Sequence, residues 1–106
     1  MSEQLLKKIG TYWTGRAAGY SKVNQEELAG TQRRDWLEHI EIQIQKIWKD
    51  REKQSIHILD VGTGPGFFAI ILAEAGYQVT AVDYTPAMLE QARKNAGALA
   101  ERIDFR

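Results

Sequence analysis

No cysteine occurs anywhere in the chain, which excludes a disulfide framework, a thiolate metal site and a cysteine nucleophile. An excess of charge is missing as well. Fourteen basic residues balance fourteen acidic ones, so no electrostatic footprint points to nucleic acid or to an anionic membrane. Long apolar runs are also absent. The longest, Phe67 to Ala73, is far too short to span a bilayer, and the opening MSEQLLKKIG lacks the apolar centre of a signal peptide. Proline appears only twice, and neither repeats nor low-complexity tracts interrupt the chain. These absences predict a cytoplasmic protein with a small or neutral partner. What remains, 43% hydrophobic and 26% charged over 106 residues, suits one small globular domain and not a disordered segment.

The composition changes once, near Ser55. The chain is therefore divided into a helical cap segment, residues 1–53, and an α/β segment, residues 54–106. In the first, Ser2 to Ile9 predicts a short amphipathic helix. Thr11 to Asn24, with two glycines, three aromatics and no clean period, predicts an ordered loop or broken helix. Asn24 with Glu27 resembles a capping box. From there Leu28, Trp36, Leu37, Ile40, Ile44, Ile47 and Trp48 recur at helical spacing, broken at Gly30-Thr31, and predict helices packing on a sheet.

In the second segment, Ile56 to Val61 reads as a buried parallel strand. Phe67 to Ala75 reads as a helix ended by Gly76, and Tyr77 to Val82 as a second strand. Thr85 caps the next helix, with Pro86 in its first position. That helix runs towards Leu99 and frays near Gly97, after which Ile103-Asp104-Phe105 begins a third strand. Strand, helix, strand, helix, strand with short connections is the βαβαβ half of a doubly wound parallel sheet.

Between the first strand and its helix lies Asp60-Val61-Gly62-Thr63-Gly64-Pro65-Gly66. Such a loop turns sharply, lets a ligand approach the backbone and presents a helix N-terminus to an anionic group. It marks a nucleotide-like ligand without naming one. Read from Gly62, the dinucleotide fingerprint fails at Phe67. Read from Gly64 to Ala69, the pattern G-x-G-x-x-A is met. A nicotinamide-dependent oxidoreductase stays open on that register.

Asp60 discriminates better. A carboxylate beside the loop repels a pyrophosphate by about 3 kcal/mol at roughly 5 Å and an effective dielectric near 20. S-adenosylmethionine carries a sulfonium, an ammonium and one carboxylate, so Asp60 can take the ammonium while loop amides take the carboxylate. Asp83 ends the second strand, 23 residues further on. It can accept from both ribose hydroxyls of any adenosine cofactor, or serve as a negative charge before the next helix.

These residues resemble the class I, Rossmann-like S-adenosylmethionine-dependent methyltransferases. ILDVGTGPG, Ile58 to Gly66, is similar to the family's strand, acidic residue and glycine loop. AVDYTPAMLEQARKNA, Ala81 to Ala96, is similar to its strand end, ribose acid and following helix. The two stand in order at the family's spacing over Ile56 to Ala96, and YWTGRAAGY resembles, more loosely, the lead-in of members acting on small molecules. The resemblance implies that Gly62, Thr63, Gly64 and Gly66 surround the methionine portion, with Asp60 near its ammonium and Asp83 on the ribose. Tyr84 and Met88 would flank the adenine, and Tyr20 would close over the cofactor. Tyr12 and Arg16 fit simple packing or a surface ion pair better, and Trp13 is read as a packing residue. His39 and His57 are read as structural, without metal-ligand spacing.

The family's acidic loop after the third strand, its fourth strand and its acceptor-shaping elements have no counterpart in the sequence. At roughly 30 residues per βαβ unit a full sheet needs a longer chain, so an N-terminal fragment with an incomplete sheet is expected. No catalytic base is identified. In the family's strand order Ile56 to Asp60 would form an open apolar edge, and a homodimer through it is expected. The alternatives are the oxidoreductase fragment and a non-catalytic adenosine-binding or assembly module.

Overall fold

A computed structural model describes residues 2–106. Helix α1, Glu3–Ala29, starts at Ser2, whose hydroxyl accepts from the Leu5 amide at 3.1 Å. It is one continuous helix, which corrects the expected loop over Thr11 to Asn24. Asn24 is an interior residue of α1 and not a cap. The glycines at 10, 15 and 19 do not interrupt it, and none has a positive φ. Its Ala17, Ser21 and Asn24 face is buried, and this tertiary packing outweighs the weak local propensity. Gly30 ends α1 where the break was expected, and helix α2 spans Gln32–Ile47.

The apolar stripe of α2 divides. Leu37, Ile40 and Ile44, with Leu28 from α1, pack against the core, while Ile47 and Trp48 remain largely exposed. A 3₁₀ turn, Lys53–Ser55, leads into strand β1, His57–Val61. Helix α3 follows as Phe67–Ala75, and Gly76 at φ 111° ends it as expected. Strand β2 is Gln78–Val82, helix α4 is Pro86–Ala96, and a second 3₁₀ segment, Gly97–Arg102, precedes strand β3, Ile103–Phe105. Near the N-terminal end of β2 the Tyr77 hydroxyl donates to Glu41 Oε2 at 2.8 Å, and Lys53 Nζ stands 2.9 Å from the same oxygen. This ties α2 to the sheet at the pole away from the glycine loop.

The sheet is parallel, ordered β1-β2-β3, with His57 opposite Gln78, Val61 opposite Val82, and Val79 opposite Ile103. Two right-handed crossovers running in one direction across a sheet place their helices on the same face. Accordingly Val79, Ala81 and Ile103 are buried with the apolar residues of α3. The opposite face is open: Leu59 is 61% and Val61 73% exposed. This corrects the reading of Ile56 to Val61 as a buried strand, because only its Ile58 side packs on the core. Among the described residues no helix is long and apolar enough to cross a membrane.

Candidate binding site at the glycine loop

The loop after β1 is held by its own glycines and by two aspartates. Gly62, Gly64 and Gly66 have φ of 73°, 56° and 94°, which side-chain-bearing residues rarely adopt. The Gly62 and Thr63 amides both donate to the Val82 carbonyl, at 2.9 and 3.0 Å. The Gly64 amide donates to Asp83 Oδ2 at 2.8 Å, and the Gly66 amide to the Thr63 carbonyl at 3.0 Å. At Gly66 a Cβ would come within 3.0 Å of Ala92 Cβ, so this glycine lets α3 and α4 touch.

Asp60 lies at the β1 end of the same structure. Its Oδ2 accepts from the Thr63 hydroxyl at 2.8 Å, and its carboxylate also accepts from the amide of Ala69, in the first turn of α3. Burial pushes its pKa above the ordinary carboxylate value. The bonds from Thr63 and Ala69 oppose that shift, and the neighbouring charge of Asp83 adds to it. Asp83 accepts from the Thr85 amide as well as from Gly64, so it also serves the start of α4, where Thr85 makes no side-chain cap.

Above the loop lies a cavity of about 840 Å³. Gly62, Thr63 and Gly64 line it from the loop, Asp83, Tyr84 and Met88 from the start of α4, and Tyr20 from α1. Asp60 and Gly66 are not among the residues that line it. The expectation that loop amides receive a carboxylate changes, since the amides of Gly62, Thr63, Gly64 and Gly66 already donate to protein acceptors. The amides that open α3, at Phe67 and Phe68, point out of the helix start, and both residues line the cavity.

Apart from Tyr20, sequence reading missed the α1 wall. Leu6, Trp13, Tyr20 and Glu27 line the cavity at seven-residue intervals, joined by Ile9, Val23 and Asn24. That stripe was the available signal, hidden by reading the glycines as breaks. Tyr12 lies outside the lining. Arg16 sits over the rings of Tyr12 and Tyr20, at 5.7 and 5.3 Å, and Trp13 packs edge-on against Tyr12 at 5.0 Å. His57 Nε2 lies 2.8 Å from Thr80 Oγ1 and His39 against Trp36, both outside the cavity. No group of His, Asp or Glu among the described residues could hold a metal ion.

The family described as a methyltransferase domain matches residues 58–106, which run from β1 through β3 and include the whole loop. This segment is therefore similar to methyltransferase domains, on a sheet of the Rossmann-like kind. The chain is 42% identical over 59 residues to a ubiquinone/menaquinone biosynthesis C-methyltransferase of Zymomonas mobilis, covering 50% of this chain and 24% of the relative. It is 41% identical over 56 residues to a ubiquinone biosynthesis O-methyltransferase of Methylocella silvestris, covering 53% and 22%. A malonyl-[acyl-carrier protein] O-methyltransferase of Erwinia pyrifoliae is 32% identical over 83 residues, covering 72% and 32%. The chain thus spans about a quarter to a third of these relatives' lengths. A solved structure described as a DhpI-SAH complex shares the fold, with a TM-score of 0.58 at 18% identity over all of this chain and 46% of that one. No relative named here is an oxidoreductase, and that alternative has no support.

Proposed function

We propose that the chain binds S-adenosylmethionine in the cavity above the glycine loop and serves methyl transfer to a small-molecule acceptor. The observation that carries this reading is the loop's chemistry. Its amides are committed to Val82, Thr63 and Asp83, and the carboxylates of Asp60 and Asp83 interact across it. A pyrophosphate would meet few free donors and two like charges. A cationic cofactor meets an attractive field and apolar walls, so the residues present fit it. Bound there, S-adenosylmethionine supplies an electrophilic methyl group on its sulfonium.

Asp60 would act on the ammonium through its charge or a bridging water, Asp83 would hold the ribose hydroxyls, and Tyr84 and Met88 the two faces of the adenine, with Tyr20 over the open side. The chain's own contribution is to orient, and holding two partners in line supplies about 7–11 kcal/mol in well-aligned cases. The apolar wall of Trp13, Trp36 and Phe68 favours an apolar or aromatic acceptor, and the lack of cysteine suits a cytoplasmic setting. Residues 1–53 act as the cap and 54–106 as the cofactor-binding part. Calorimetry with S-adenosylmethionine, S-adenosylhomocysteine and NAD tests the reading: heat with the first two is expected, and heat with NAD alone would reject it.

A further inference from the structure

One buried polar side chain on α1 has no account in the packing. Asn24 is 3% exposed, and neither its Oδ1 nor its Nδ2 has a hydrogen-bond partner among the described residues. Its neighbours on the helix are satisfied. Asn95 Nδ2 donates to the Ser21 hydroxyl at 3.1 Å and the Pro65 carbonyl at 3.0 Å, and Gln25 Nε2 donates to Asn95 Oδ1 at 3.0 Å. That network fastens α1 to α4 and to the glycine loop. It leaves out Asn24, one turn beyond Ser21, which lines the cavity together with Gly62 to Pro65 and Phe67. Asparagine is a poor helix former, and an unpartnered buried amide is costly where a leucine would pack without penalty. Such a residue at a cavity wall points to a ligand group it was placed to meet.

We infer that Asn24 binds the α-amino-acid headgroup of the cofactor, an assignment that rests on the cofactor reading above. A carboxamide offers one acceptor and two donors, so Oδ1 suits an ammonium and Nδ2 a carboxylate. The headgroup needs such a partner here, because the amides of Gly62, Thr63, Gly64 and Gly66 are already taken. Asn24 supplies a donor from the α1 side of the same cavity. Glu27, a turn further along the same lining, adds negative charge on the ammonium side.

The test compares two ligands in the full chain, read by the fluorescence of Trp13 and Trp36, which line the cavity. S-adenosylhomocysteine has the headgroup; 5′-methylthioadenosine has the same adenosine and sulfur without it. Asn24→Leu and Asn24→Ala should weaken S-adenosylhomocysteine about tenfold or more, leave methylthioadenosine unchanged, and keep or raise the Tm. Asn24→Asp, of the same shape, should weaken only the headgroup ligand by repelling its carboxylate. Unchanged S-adenosylhomocysteine binding in all three variants overturns the inference. Equal loss of both ligands, or a fallen Tm in Asn24→Leu, makes Asn24 a structural residue and overturns it too. If the parent chain binds neither ligand, the cofactor reading itself fails first.

Discussion

Asp60 is pulled two ways, by burial against its charge and by hydrogen bonds from Thr63 and Ala69 that favour it. Burial prevails, so the folded protein holds the Asp60 proton more tightly than the unfolded chain does. The sign follows from linkage. A carboxyl whose pKa is raised on folding favours the fold while protonated. That support is lost as pH rises from the ordinary carboxylate value through the raised one, and the cost persists above it. Asp60→Asn should therefore melt higher than the parent near pH 7, with the gap closing towards about pH 4. The same variant should bind S-adenosylmethionine more weakly, because the ammonium loses its counter-charge. A melting-temperature gap that stays flat with pH would show that Asp60 ionisation does not oppose folding.

Glycines on α1 separate helix stability from site geometry in a second way. A Cβ at Gly10 would stand 3.2 Å from Tyr84 Cε1, whereas at Gly15 it would meet nothing within 4 Å. Gly15→Ala should stabilise the chain by about 1 kcal/mol, the helix-propensity difference, without touching the cavity. Gly10→Ala should gain no more than that, because the Tyr84 ring must shift by a few tenths of an ångström. Since Tyr84 is read as an adenine wall, this variant alone should lose affinity for S-adenosylhomocysteine severalfold. Urea denaturation and a ligand titration on both variants check the pair, and equal affinities would remove Gly10 from the site.

Between elements, the tightest constraint is the touch of α3 on α4 at Gly66. Here a methyl group meets Ala92 Cβ at 3.0 Å and the backbone sits at φ 94°. Gly66→Ala should cost more than about 2 kcal/mol, from left-handed strain and overpacking together. Ala92→Gly alone should cost about 1 kcal/mol as a helix-interior glycine. The double variant should be less damaged than the two losses added, since removing the Ala92 methyl relieves the steric part and leaves the backbone part. Strict additivity in denaturant unfolding would mean that the contact is not what Gly66 protects.

The elements after Ser55 were legible because each carries its own punctuation. Gly76 ends α3, Pro86 opens α4, and apolar strands alternate with helices at short spacing. The glycine loop and its two aspartates were legible for the same reason, as motifs fixed in place by strand ends. Two things were not. Helix α1 was hidden because its continuity depends on burial of Ala17, Ser21 and Asn24 against the rest of the fold, which no local window contains. With it went the α1 wall of the cavity other than Tyr20, Asn24 included. The exposure of β1 was hidden because an apolar run states that a strand wants cover but not which faces receive it. Only the order β1-β2-β3, with both crossover helices on one side, decides that.

At the scale of the molecule, β1 is unusual in being unpartnered twice. It ends the sheet, so one row of its backbone groups lacks a neighbouring strand, and its outer face presents Leu59 and Val61 beside half-buried Thr80 and Val82. An edge with an apolar outer face, no proline and only the inward-facing Asp60 as a charge is a template for a further strand. A second copy of β1 offers such a strand, and antiparallel pairing about a twofold axis would close both edges at once. The expected result is a dimer in light scattering whose dissociation tracks dilution. Leu59→Lys with Val61→Lys should return it to monomer, because charge on that face opposes stacking and pairing together. These side chains point away from α3 and the loop, so S-adenosylhomocysteine affinity should survive in the monomer. A parent chain that stays monomeric at high concentration would show that twist alone protects this edge. A charged variant that lost ligand with its partner would instead make the second copy part of the site.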